Sequence, residues 1–369
     1  MHFNFQNIKS PTLVLNKEIV LRNIKRMNEK ARQSQVTFRP HFKTHQSAEI
    51  GAWFREFGVS KITVSSLAMA EYFAKSGWQD ITLAFPVNVR EIDRINRLAE
   101  IIQLNLLVEN EEAIRFLDQH LRTPVALFIK VDTGLNRTGI WWKNHESIVK
   151  LVSILQSSQK LHFSGFLTHA GHSYDGQSTE AIKEIYAETL IRLQAAKSEL
   201  QKQLKVACVL SVGDTPGCSI IDNFEGVDEI RPGNFVFYDV MQLNLGACTQ
   251  DDIAIALACP VVAKHPSRQQ IVVHGGAVHL SRESLASNNE ASHFGLVVHF
   301  SEETGWGKII DETYVRSLSQ EHGIIQAGKQ LFNQTKIGDL LGILPVHSCL
   351  TANLMGEYFC SGGHTIKML

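Results

Sequence analysis

Residues 161–176, LHFSGFLTHAGHSYDG, run into residues 179–202, TEAIKEIYAETLIRLQAAKSELQK. The first part reads as a short strand ending near Leu167, then a loop carrying His169, His172 and Tyr174. The second places Ile182, Ile185, Leu190, Leu193 and Ala196 at helical spacing with polar residues on the other face. Strand, loop and helix make one βα unit. Working outward, strand-like runs recur at 36–39, 61–65, 81–84, 104–107, 125–131, 206–212 and 227–230, with helical segments such as 67–75, 89–100 and 111–119 between them. Eight strands joined by crossover helices predict an α/β fold in which a parallel sheet closes into a (β/α)8 barrel.

The pattern changes after Leu245. Runs at 253–263, 270–274, 294–300 and 336–344 are short, strand-like and divided by Gly, Pro, Ser and Asn, which predicts a mostly β second domain. The expected division is a barrel at 16–245 and a β-rich domain at 246–369. A strand at 12–15, ahead of a helix capped by Asn16, can join either domain and is grouped with the second as 1–15.

The chain's 369 residues suffice for both cores. A formal net charge of -1 without a run of like charge removes the footprint that nucleic acid or an anionic membrane needs, so a small-molecule partner is expected. The start, MHFNFQNIKS, lacks a signal-peptide core, and 253–263 is too short to span a bilayer, which predicts a cytoplasmic protein. Six cysteines without a C-x-x-C pair argue against a disulfide framework or a zinc ribbon.

In such a barrel, reactive groups sit on loops after the strands. Lys43 and His45 follow the first strand in RPHFKTHQ, Asn136 and Arg137 the fifth in KVDTGLNRTG, and His169, His172 and Tyr174 the sixth. Lys43, wedged among Pro40, His41 and Phe42, is expected to be desolvated and nucleophilic, suited to a Schiff base; the plainer reading is a surface lysine ending a strand. SVGDTPG offers backbone N–H groups from Gly213 to Thr215, and RPGN offers Gly233 and Asn234. Each alone is a common connector, but two after neighbouring strands suggest one phosphate held between them. His347 and Cys349, two apart on an extended chain, face one side and can share a metal as half of an open zinc site; the plainer reading is an incidental H-x-C.

These pieces, in the order SPTLVLN, RPHFKTHQ, DTGLNRTG, HAGHSY, SVGDTPG, RPGNFVFYD and LPVHSCLTAN, resemble the D-serine dehydratase and D-threonine aldolase family of alanine-racemase-like, fold type III enzymes. The resemblance implies pyridoxal 5′-phosphate on Lys43, with Tyr174, Thr215, Gly233 and Asn234 touching it, the last three around its phosphate, beside the backbone N–H groups that Gly213 already offers. It implies Arg137 near the phenolic oxygen, His169 flanking the ring, and Zn2+ on His347 and Cys349. A D-amino acid substrate, β-elimination to a 2-oxo acid and ammonia, and a homodimer also follow from it. A metal-dependent D-threonine aldolase, an amino-acid racemase and a noncatalytic carrier of the cofactor are the alternatives; Cys349, where the aldolases commonly have Asp, favours elimination. The sequence departs from the family pattern at Leu167, at LPVHSC, which lacks the usual Pro-Asn, and at HGGAVHLS, where His274 and His279 replace an acid and a lysine.

Overall fold

A computed structural model describes residues 3–286 and 292–369. The chain divides into two compact units. One comprises 25–43 and 50–233, the other 1–24, 44–49 and 234–369.

The first unit is the barrel. Its strands run in the order Thr37–Phe38, Glu229–Ile230, Val209–Val212, Leu161–Leu167, Val125–Asp132, Gln103–Val108, Asp80–Pro86 and Lys61–Val64, all parallel. A parallel bridge from His41 to Thr63 brings the last strand back to the first. All eight expected strands are present, and Thr179–Gln203 is the expected long helix. Three helices of this unit were not named from the sequence, Ala48–Arg55, His145–Ser157 and Thr215–Ile220. Gly165 shows why composition matters locally: its φ is +153° and a Cβ there would lie 2.0 Å from Val209 O, so only glycine lets these two strands pair.

Leu107, Phe128 and Leu167 form an apolar cluster with Ala84 and Val209. A polar network accompanies it. Arg39 Nε donates to Glu229 Oε2 and its Nη1 to Asp80 Oδ1, both at 2.6 Å, with the Arg39 side chain only 5 % exposed. Asn105 also donates to Asp80, at 2.8 Å. Removing one member of a buried pair strands the others in a medium that solvates charge poorly. Arg39→Met is therefore expected to lower the free energy of unfolding by about 3–5 kcal/mol, read by urea denaturation; a loss below about 1 kcal/mol would mean that the pair behaves as an exposed one.

The second unit is a mostly antiparallel sheet in the order Gln270–His274, His322–Gln326, Gly305–Leu318, Gly295–Ser301, Leu340–Pro345, Ile255–His265, Thr12–Leu15, Glu357–Phe359 and Thr365–Lys367, with Thr12–Leu15 and Glu357–Phe359 paired parallel. Ile255–His265 also pairs with Gln270–His274, so six strands close on themselves. Thr12 pairs with Ala258 and Leu15 with Ile255, which settles the partner of the N-terminal strand. Asn16 does cap the following helix, accepting from the N–H groups of Glu18 and Ile19 at 3.1 and 3.3 Å. The long strand Gly305–Leu318 escaped the sequence reading because it breaks simple alternation. Its register slips between Val315 and Ser317, and Glu312 has φ 53°. None of the six cysteines is in a disulfide. Among the described residues no helix is long and apolar enough to cross a membrane.

Candidate active site

In the barrel unit, Lys43 follows the first strand, and Phe42 anchors it. The Phe42 ring packs on Phe54, Phe73 and Trp78 with centroids 4.9, 5.0 and 5.1 Å away, and its N–H donates to Thr63 O at 2.8 Å. Phe42 takes the buried position and leaves Lys43 exposed. The desolvation expected of this lysine is thus corrected: its neighbour carries the burial, and the amine stays accessible to a carbonyl group.

The buried lysine is Lys130, in the strand Val125–Asp132 and 5 % exposed. Burial, with the charges of Arg231 and Arg137, lowers its pKa to about 7 against the pull of Asp132 and Glu109. Between pH 7 and its ordinary value of 10.5 the unfolded chain holds a proton that the folded chain lacks, so this group makes stability rise with pH in that window. Below pH 7 the full cost of burying the charge is present. Lys130→Met apoprotein is therefore expected to exceed wild type in stability by a few kcal/mol at pH 6, with the gap closing toward pH 10. Denaturation curves at three pH values check this, and a pH-independent gap would contradict it.

His169 Nδ1 lies 2.5 Å from Gly213 O. A carbonyl can only accept, so the ring proton sits on Nδ1 and the Nε2 lone pair is available. Burial, together with the positive charges of Lys130, Lys43 and Arg137, pushes its pKa well below the usual histidine range. Tyr174, in the 3-10 turn Gly171–Asp175, has its ring 6.5 Å from that of His169. Arg137 is exposed on a loop folded by Asp132, whose Oδ1 accepts from Gly134 N and Asn136 N at 2.9 and 3.2 Å. The left-handed φ of 57° at Asn136 completes the bend.

The two Gly-rich loops do meet. A Cβ on Gly213 would lie 2.9 Å from the Arg231 backbone, and Arg231 N donates to Val212 O at 2.8 Å. Arg231, which the motif reading passed over, donates to Ser211 Oγ at 2.9 Å and Thr168 O at 2.5 Å, and burial lowers its pKa to about 10. Asp214 caps the helix Thr215–Ile220 through Gly217 N at 2.6 Å and accepts from Ser173 at 2.9 Å. Thr215 and Gly233 are buried. The donor set fits an anionic aldehyde: a reachable amine, cationic groups close by, and a loop stripped of Cβ where an anion needs backbone N–H groups.

The second unit holds the other cluster. His347 is extended at φ -132°, ψ 101°, but it caps a helix, Ser348–Met355. Cys349 therefore stands in a first helical turn, which corrects the expectation of an extended pair. The two side chains still reach each other by a hydrogen bond. Cys349 Sγ lies 3.2 Å from Thr44 Oγ1 and 3.6 Å from Asn234 Nδ2. Asp239 organises the group: its Oδ2 accepts from Asn234 Nδ2 at 2.6 Å, Ser348 N at 2.9 Å and Ser348 Oγ at 3.1 Å, and its Oδ1 from Gln242 N at 2.9 Å. Asn234 thus spends its amide N–H on this cluster, and its Oδ1 is buried with no hydrogen-bond partner among the described residues. Burial works against a charged His347, yet its bond to Cys349 and the charges of Cys349, Asp239 and Glu283 raise its pKa to about 9. Imidazole and thiol in a negative field fit a soft or borderline divalent cation.

Lys130, Arg231, Asp239 and Thr44 were not singled out from sequence. A lysine inside the apolar run VALFIKVD was the one available signal; the others became visible only through their partners. Comparison with known proteins bears on the fold and the family. Residues 15–240 match the family "Alanine racemase, N-terminal domain", and residues 254–361 match "Putative serine dehydratase domain". A D-serine dehydratase of Dictyostelium discoideum is 31 % identical over 96 % of this chain and 94 % of its own. A D-threo-3-hydroxyaspartate dehydratase of Delftia sp. HT23 is 27 % identical over 95 % and 93 %; its structure superposes with a TM-score of 0.90 at 25 % identity, covering 100 % of this chain and 99 % of that one. A cysteine mutant of that enzyme has been solved in a metal-free form, so relatives bind metal. A 3-hydroxy-D-aspartate aldolase of Paracoccus denitrificans is 24 % identical over 95 % and 88 %. With the barrel, the second sheet and both matched domains in one chain, this protein belongs to the D-serine dehydratase family of alanine-racemase-like, pyridoxal-phosphate-dependent lyases.

Proposed function

We propose that this lyase dehydrates a D-3-hydroxy amino acid, D-serine being the simplest, to a 2-oxo acid and ammonia, with pyridoxal 5′-phosphate on Lys43 and zinc on His347 and Cys349. The observation that carries the reading is the His347–Cys349 contact inside a negative field, because loss of hydroxide from Cβ needs a Lewis acid and a thiolate-bearing site favours zinc. Arg137, His169, Tyr174, Gly213, Thr215, Gly233 and Asn234 are the residues assigned to the cofactor, Asn234 through its backbone N–H since its side chain is engaged with Asp239. When bound, the cofactor supplies an electron sink for charge developing at Cα.

Lys43 would hold the cofactor by its amine, and the same amine would serve as general base for the substrate's Cα proton. His169, its Nδ1–H fixed on Gly213 O, keeps a neutral ring beside the cofactor. His347 and Cys349 would hold the ion, which would supply a Lewis acid for the β-hydroxyl. The same reading makes the protein a homodimer, on family resemblance alone.

The aldolase relative supports a second reading, retro-aldol cleavage. Incubating purified protein with D-serine, D-threonine and D-threo-3-hydroxyaspartate separates them. A 2-oxo acid with ammonia is expected, abolished by chelator and restored by zinc. Glycine with an aldehyde would instead establish the aldolase.

A further inference from the structure

Away from Cys349, the second unit brings three potential ligands together from different segments. His274 ends the strand Gln270–His274, His279 lies in the short helix Ala277–Leu280, and Glu321 precedes the strand His322–Gln326. The turn carrying Glu321 is stitched to the histidine segment: Gly275 N donates to Glu321 O at 2.9 Å, Ala277 N to Ser319 O at 2.8 Å and Val278 N to Gln320 O at 3.2 Å. Glycine makes that approach possible, since a Cβ on Gly276 would lie 2.3 Å from Gln320 O and one on Gly275 2.3 Å from Cys259 Sγ.

His274 Nε2 stands 3.4 Å from Glu321 Oε2 and His279 Nε2 3.8 Å from the same oxygen, and one ligand atom from each residue lies within 4.8 Å of the others. Ligand atoms around a tetrahedral zinc ion, with bonds near 2.05 Å, are separated by about 3.4 Å. The His274–Glu321 edge already has that length, and closing the remaining gaps needs only side-chain movement. His274 and Glu321 are 40 % and 49 % exposed, so an ion and its waters can enter, while His279 is 16 % exposed.

We propose that His274, His279 and Glu321 form a second divalent-metal site, open and water-completed, for a borderline ion such as zinc, cobalt or nickel. Two imidazoles with one carboxylate select such ions over magnesium or calcium. Binding has a cost that the structure identifies. Gly276 N donates to His279 Nδ1 at 3.1 Å, so the ring proton now sits on Nε2 facing Glu321; with an ion on Nε2 the proton shifts to Nδ1, and the bond to Gly276 is given up. No proton is released overall by His279, whose ring is neutral: burial lowers its pKa against the pull of Glu321, and His274 lowers it further.

The site shares no ligand with His347 and Cys349, although the helix Ala277–Leu280 packs on Ser348–Met355 through Thr351 Oγ1, which donates to Leu280 O at 3.3 Å, and stoichiometry separates the two. Metal-stripped full-length protein is dialysed to equilibrium against buffered micromolar zinc and its bound metal counted, with cobalt absorption as a second readout. Two equivalents per chain are expected in wild type, one in H274A/H279A, one in H347A/C349A. Glu321→Gln, a mild surface change, should retain both sites but weaken one by about tenfold or more. A single wild-type equivalent lost in H347A/C349A would overturn the second site, as would two equivalents kept by H274A/H279A or an unaltered affinity in Glu321→Gln. A single equivalent lost only in H274A/H279A would support this site and remove zinc from His347 and Cys349.

Discussion

Replacing Lys43 with alanine is expected to lower kcat on D-serine by about a thousandfold or more, because one residue is assigned two tasks. In the proposed reading its amine would hold the cofactor, and the same amine would serve as base for the Cα proton. Lys43→Arg separates the tasks from charge: arginine keeps the cation but is neither a nucleophile nor a base near neutrality. Both variants should lose the absorbance of the lysine-bound cofactor, and borohydride treatment of wild type should leave the reduced label on Lys43. Exposure of Lys43 in the structure makes the experiment clean, since neither substitution disturbs the core packed around Phe42. Near-wild-type turnover by Lys43→Arg would remove this residue from the chemistry.

His347→Ala and Cys349→Ala should each lower kcat by about a hundredfold or more, with loss of bound metal, because two protein ligands leave no reserve when one is removed. Cys349→Asp is the sharper variant. A carboxylate is a harder ligand, so it should shift metal preference from zinc toward manganese or magnesium while leaving the helix Ser348–Met355 in place. Asp239→Asn should weaken metal binding by about 10–100-fold without touching the ion, since Asp239 holds Asn234 and the Ser348 backbone beside Cys349. Full turnover by Cys349→Ala in chelator would eliminate the metal from the reaction.

These residues were legible to different degrees. The barrel strands were read correctly because each is a short apolar run bounded by turn residues, and burial in a parallel sheet demands that pattern. Lys43, His347 and Cys349 were legible as motif residues, but their settings were not. Lys43 lies exposed while Phe42 is buried, and Cys349 stands in a helix whose first turn His347 caps. Gly305–Leu318 was missed because its bulges and charged residues erase the alternation that marks a strand.

Sequence by itself determined the order of the barrel strands and the family pattern, because local periodicity and turn chemistry are written in consecutive residues. Tertiary structure alone decided which charges share a field. Lys130 meets Arg231, Asp239 meets Ser348, and Glu321 meets His274 across separations that no local pattern encodes, and proximity in space sets both protonation and metal affinity.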